Sequence, residues 1–181
     1  MNKARYCPVN KRMHMSRVMR QSCRALLSIA LGLCVGGAAA QNAPVRSSAA
    51  QAQALMKKAQ AYVKQHGMGD AFTEFNQLDS PFNVRSDINP NGDLYLYSLD
   101  YQGFQAVHGK NPKIRGKVMI DMLDSEGVPL IRKMAEKCKN PGRGWVDYRW
   151  PHPLTKEIEP KSGYVERIPG TQICLGTGIY K

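Results

Sequence analysis

The last fifth of the chain constrains the fold most. From Trp145 onward it runs through three β-prone segments, Trp145–Trp150, Ser162–Arg167 and Gln172–Ile179, separated by Pro-rich and Pro-Gly turns. Parallel strands need a crossover of roughly a dozen residues or more, usually a helix, whereas links of hairpin type join antiparallel neighbours. The three segments are therefore expected to pair antiparallel. An earlier pair points the same way: Leu94–Leu99 is β-prone, Asp100-Tyr101-Gln102-Gly103 supplies a turn, and Phe104–His108 returns.

Two helical patterns complete the order. Ser47 and Ser48 can cap a helix running to about His66, with Leu55, Ala59, Tyr62 and Val63 as its apolar stripe, Lys57, Lys58 and Lys64 on its wet side and Gly67 as its stop. A short helical piece, Asp70–Asn76, turns Ala71, Phe72 and Phe75 inward. Asp79–Gly92 is loop chemistry, and Ile114–Met122 gives no assignable pattern. Val128–Lys139 has Leu130, Ile131, Met134 and Cys138 at helical spacing, ended by Asn140-Pro141-Gly142. Helix, two strands, helix, three strands predicts an α+β domain with its helices segregated to one face of an antiparallel sheet.

The beginning of the chain is of another kind. Lys3, Arg5, Lys11, Arg12, Arg17, Arg20 and Arg24 stand without an acid, then Ala25–Val35 is apolar, then Gly36-Gly37-Ala38-Ala39-Ala40 is small. This is the pattern of a secretory signal peptide over residues 1–40. The apolar run is short for a membrane span, which needs about 20 residues. Residues 41–48 read as a loose tail and 49–181 as one domain. The destination expected is the periplasm. Seven of the 26 Lys and Arg lie in the leader, so 19 stand against 14 acids in the remainder, a net +5 rather than +12. A nucleic-acid partner is therefore not expected. Cys138 and Cys174 are the two cysteines beyond the leader. In an exported chain they suggest one disulfide, with two independent buried thiols as the other reading.

The run Gly144–Val165 concentrates two tryptophans, two tyrosines, a histidine and two lysines. That composition suits a small concave site with aromatic walls and a few polar groups. Strand alternation sends Val146, Tyr148 and Trp150 to one face and Trp145, Asp147 and Arg149 to the other, and the first set is the more apolar. Trp145, beside Gly144, can turn either way.

Taken together, the leading helix, YLYSLD…G…AVHGKNP, DSEGVPLIRKM and GWVDYRWPHPLTKEIEPKSGYVERIPG…GTGIY resemble the type 2 single Cache domain over roughly Ala50–Tyr180. The resemblance implies a PAS-like five-stranded antiparallel sheet with a long N-terminal helix and a crossover helix on one side. It implies an extracytoplasmic sensor that binds small carboxylates, and homodimer pairing through the long helix is common in similar domains. Receptors of this kind continue into a membrane helix and an output domain. This sequence ends at Lys181, so a separate membrane receptor or kinase is the expected reporter.

The candidate ligand-binding residues are Tyr97, His108, Trp145, Tyr148, Trp150, Lys161 and Tyr164. Lys161, just past Pro160, can hold a carboxylate, with tyrosine hydroxyls completing the hydrogen bonding; the plainer reading is a surface lysine lying over Trp150. His108 either donates to a carboxylate or serves as a structural hydrogen-bonding residue. Trp145, Tyr148 and Trp150 serve equally well as core. His152, between two prolines, reads as an exposed turn residue. Catalysis is not expected. The histidines lack zinc spacing, no C-x-x-C-H is present, and neither G-x-S-x-G nor a phosphate-binding P-loop occurs. No cofactor or metal is expected. The alternative to a ligand-binding sensor is a non-catalytic adaptor that docks on a membrane kinase, chemoreceptor or transporter without a ligand.

Overall fold

In a computed structural model, residues 45–181 are described; the expected leader, residues 1–40, lies outside them. Helix α1, Ala49–Phe75, opens with a capping box in which Ser48 Oγ accepts from Gln51 N–H and the Gln51 side chain accepts from Ser48 N–H. Gly67 stands at φ +78°, outside helical geometry, and divides α1 in two at the expected stop. Leu55, Ala59 and Val63 before the kink, and Ala71 and Phe75 after it, are buried.

Strand β1, Tyr97–Asp100, begins three residues later than the sequence suggests. The reason lies in two buried asparagines. Asn89 Oδ1 accepts from Leu94 N–H while its amide donates to the Leu94 carbonyl, and Asn83 Oδ1 accepts from Leu96 N–H. Asparagine side chains thus take Leu94 N–H, Leu94 C=O and Leu96 N–H in place of a neighbouring strand. After the turn, β2 is only Phe104–Gln105 and pairs with β3, Lys117–Val118, inside the stretch that had no assignable pattern. The return strand touches β1 through one bridge, Tyr97 to His108, because Asn76 takes the Ala106 carbonyl and His108 N–H.

Helix α2, Leu130–Lys139, leads into the long antiparallel strands β4, Arg143–Pro151, β5, Ile158–Arg167, and β6, Ile173–Tyr180. The sheet order is β1-β6-β5-β4, antiparallel throughout, with the β2–β3 ribbon beside β1. The helices take opposite faces. On β6, Leu175 packs with Leu55 and Phe75 of α1, while its neighbour Cys174 packs with Met134 and Cys138 of α2. Segregation to one face fails here because both faces are apolar: Trp145, Tyr164 and Leu175 on one, Val146, Tyr148 and Val165 on the other. Cys138 and Cys174 are bonded, S–S 2.14 Å, tying the last turn of α2 to β6.

Candidate functional site

The α2 face of the sheet is built around missing side chains. Gly163, Gly176 and Gly178 all point to it, since they pair with Val146, Tyr97 and Gly163 respectively. A Cβ on Gly176 would stand 2.1 Å from the Tyr97 ring, one on Gly163 would stand 2.8 Å from Tyr148 Cε1, and one on Gly178 would stand 2.8 Å from Lys161 Cε. Two tyrosines and a lysine therefore lie down on bare backbone, which is what glycine inside a strand permits.

Lys161 is only 1% exposed. Its Nζ donates to Tyr95 Oη at 2.8 Å and Tyr180 Oη at 3.3 Å, and sits 4.1 Å and 4.7 Å from those rings' centres. Tyr180 Oη in turn donates to the Pro151 carbonyl at 2.8 Å. Among the described residues no carboxylate lies within 4 Å of the ammonium. Burial pushes the Lys161 pKa well below the ordinary lysine value, and the charge of Asp93 opposes that shift. A buried amine held by two phenols has one N–H to spare and no neutralising partner. Such a group can donate to an anion brought beside it.

His108 lies beside this group, its ring 5.1 Å from that of Tyr95 and 6.3 Å from that of Trp150. Its Nδ1 accepts from Lys110 N–H at 3.3 Å and Asn111 N–H at 2.9 Å, which leaves the proton on Nε2. Burial, reinforced by the charges of Lys161 and Arg115, lowers its pKa to about 3, so the ring is neutral near pH 7. His152 is not the exposed turn residue expected. It is 4% exposed, because its loop closes on itself through His152 N–H to Glu157 O at 2.8 Å and Lys156 N–H to His152 O at 3.0 Å. Its ring stands edge-on to Tyr180 at 4.5 Å.

Two voids meet here. An inner one of about 20 Å³ is lined mainly by Tyr97, Tyr148, Met119, Met122 and Met134. That is room for roughly one water. An outer cleft of about 200 Å³ is lined by Lys110, Asn111, His152 and Lys156. Tyr95, His108 and Trp150 line both and form the wall between them.

Of the seven candidate residues, Tyr97, His108, Tyr148, Trp150 and Lys161 share the α2 face. Trp145 and Tyr164 do not join them: they are register partners on the α1 face, rings 5.0 Å apart, sent there by the pleat. Burial and the bond from Tyr164 Oη to Glu166 push the Tyr164 pKa up to about 12. Tyr180, absent from the candidate set, meets Lys161 only through the β5–β6 register, which the sequence does not print. Tyr95 carried a signal, since it shares a strand face with Tyr97.

Comparison with known proteins resolves the identity of this arrangement. Residues 35–181 match the sequence profile of the family described as Single Cache domain 2. The chain belongs to that family. Sensor histidine kinase MctS of Rhizobium johnstonii is 30% identical over 88 residues, 49% of this chain and 19% of its own length. Methyl-accepting chemotaxis protein McpP of Pseudomonas putida is 26% identical over 88 residues, 49% of this chain and 16% of its own. The Cache domain thus spans less than a quarter of the curated relatives it matches. A methyl-accepting chemotaxis protein of Vibrio parahaemolyticus has the same fold, with a TM-score of 0.58 and 23% identity, over 72% of this chain and 86% of that one. A structure titled for carboxylic acid recognition by a Cache chemosensory domain aligns with a TM-score of 0.53 and 25% identity, over 71% of this chain and 84% of that one. Single Cache domains are extracytoplasmic sensor domains, typically non-catalytic. Among the described residues no helix is long and apolar enough to cross a membrane.

Proposed function

We propose that this Cache domain is exported to the periplasm by its basic, apolar leader and there binds a small organic acid, whose presence a membrane receptor or kinase reports. The observation that carries the reading is Lys161: a buried ammonium held by two tyrosine hydroxyls, with no carboxylate within 4 Å among the described residues. Kinase and chemoreceptor relatives, and a neighbour titled for carboxylic acid recognition, support the ligand class and the kind of partner. The carboxylate approaches through the outer cleft. The methionines of the inner void, unbranched and adaptable, yield space to its short tail. A four-atom acid gains at most roughly −6 kcal/mol, so Kd is no tighter than the order of tens of micromolar. Such an affinity suits sensing of nutrient levels.

The size of the inner void favours one second reading. With room for roughly one water, it also fits a domain whose pocket is filled and which acts as a docking adaptor. Calorimetry separates the two. Short carboxylates are expected to bind the wild-type protein and to lose roughly tenfold or more in affinity on Lys161→Met, the cost of a charge-assisted hydrogen bond. Silence of the wild type across acetate, propionate, lactate and pyruvate favours the adaptor.

A further inference from the structure

The outer cleft holds more positive charge than a single carboxylate needs. Two lysines, two histidines and an asparagine line it, and no acid does. Lys110 is half-buried, and its pKa is lowered by burial and by the charge of Lys156 across the cleft. The loop that carries Lys156 holds it in an unusual way. Lys156 has φ +67°, the one non-glycine residue with a positive φ among those described, and its Nζ donates to the Pro153 carbonyl at 2.6 Å. A side-chain-bearing residue in the left-handed region is uncommon, and such residues concentrate at ligand clamps.

His152 supplies the independent observation. Its Nδ1 accepts from Leu154 and Thr155 N–H, both at 3.4 Å, so the proton stays on Nε2. Nε2 is buried and has no hydrogen-bond partner. Buried polar atoms are nearly always paired, so this donor, on a residue that lines the cleft, is open to an acceptor that a ligand would bring.

We propose that the cleft seats a second anionic group between Lys110, Lys156 and His152 Nε2, and that the ligand therefore carries two acidic groups on a short carbon chain. This rests on the carboxylate reading above, with the first group near Tyr95 and Lys161. Tyr95, His108 and Trp150 line both voids, so a molecule seated in the cleft lies against the same side chains that bound the inner void. The inner void alone is about a tenth of the cleft's volume, which places most of such a ligand outside it.

The test is calorimetry of the purified protein with dicarboxylates from oxalate to glutarate and phosphonoacetate, each against the monocarboxylate of matching length. At least one dianion is expected to bind roughly tenfold tighter than its partner. The double variant Lys110→Gln/Lys156→Asn, in which asparagine tolerates the left-handed backbone, is expected to weaken that dianion by about ten- to a hundredfold. It leaves the monocarboxylate within roughly threefold, which also certifies the fold. His152→Gln is expected to weaken the dianion alone. Equal losses for both ligand types, or a monocarboxylate that binds as tightly as every dianion, overturn the second locus while sparing the carboxylate reading. A wild type that binds neither type overturns both.

Discussion

The two faces of the sheet are both buried, yet they are assembled on opposite terms. Against α1 the contact is apolar: Ala52, Leu55, Met56, Ala59, Phe75, Phe82 and Leu175 are each 2% exposed or less, and the phenylalanine rings pack edge-on at 4.7 Å. Against α2 the sheet buries a lysine, a neutral histidine and tyrosine hydroxyls over glycine, and leaves two voids. The α1 face is the more apolar, although it too buries Thr177 and borders a groove beside Gln60, Val63 and Ile168; the α2 face buries the ionisable Lys161 and His108. On the function proposed above, stability and recognition are separated by the thickness of one sheet, through the alternation of side chains along β4, β5 and β6.

The sharpest way to break this contrast is to hollow the α1 face. Phe75→Ala is expected to cost about 3–5 kcal/mol of unfolding free energy, a large share of a typical domain's margin, with ligand affinity of the folded fraction unchanged. Urea titration and calorimetry on one preparation read both. A variant that lost affinity in proportion to stability would show that the faces are not independent. The α2 face carries a covalent tie as well. Cys138→Ser with Cys174→Ser releases a loop with a separation of 36 residues, and the chain-entropy model puts the loss at roughly 3–4 kcal/mol. Stability unchanged by this double substitution would mean that packing alone holds α2 down.

A substitution of opposite sign sharpens the contrast further. Lys161→Met replaces a buried lysine that has hydroxyl partners and no carboxylate within 4 Å among the described residues with an apolar chain of similar length. It is expected to raise stability by about 1–3 kcal/mol without ligand while removing anion binding. A loss of stability would mean that the two tyrosine bonds and the ring contacts outweigh desolvation, and that Lys161 is a structural strut.

How much of this was legible depended on whether the information was local. The α1 stripe, the break at Gly67, α2 and the three long strands follow from periodicity and turn chemistry, both written within a few neighbouring residues. The late start of β1 was hidden because Asn83 and Asn89 reach across the loop to take its hydrogen bonds. Alternation along β4 separates Trp145 from Tyr148, and the site follows that rule: Trp145 and Tyr164 meet each other on the far side. The partnership of Lys161 with Tyr180 depends on register, and the burial of His152 on a loop that closes over it; neither has a local signature. The spacing of Gly176 and Gly178 on one strand was readable as a bare patch for a large side chain, and it is the sequence mark of the site.

The smallest expected effect, a pH dependence, follows from His108. Its pKa falls from an ordinary 6.5 to about 3 on folding, so below pH 6.5 the unfolded chain takes up a proton that the folded domain refuses. Stability contributed by this group is therefore fully present above pH 6.5 and is lost as pH falls toward 3. Between pH 7 and pH 5.5 the loss from this residue is about 1 kcal/mol. His108→Asn keeps an acceptor in the place of Nδ1 for the Lys110 and Asn111 N–H groups but does not titrate. The difference in unfolding free energy between wild type and variant should shrink by that amount across the interval. A wild type and His108→Asn pair with parallel pH profiles would show that the imidazole is not held neutral, and that the α2 face is wetter than its burial implies.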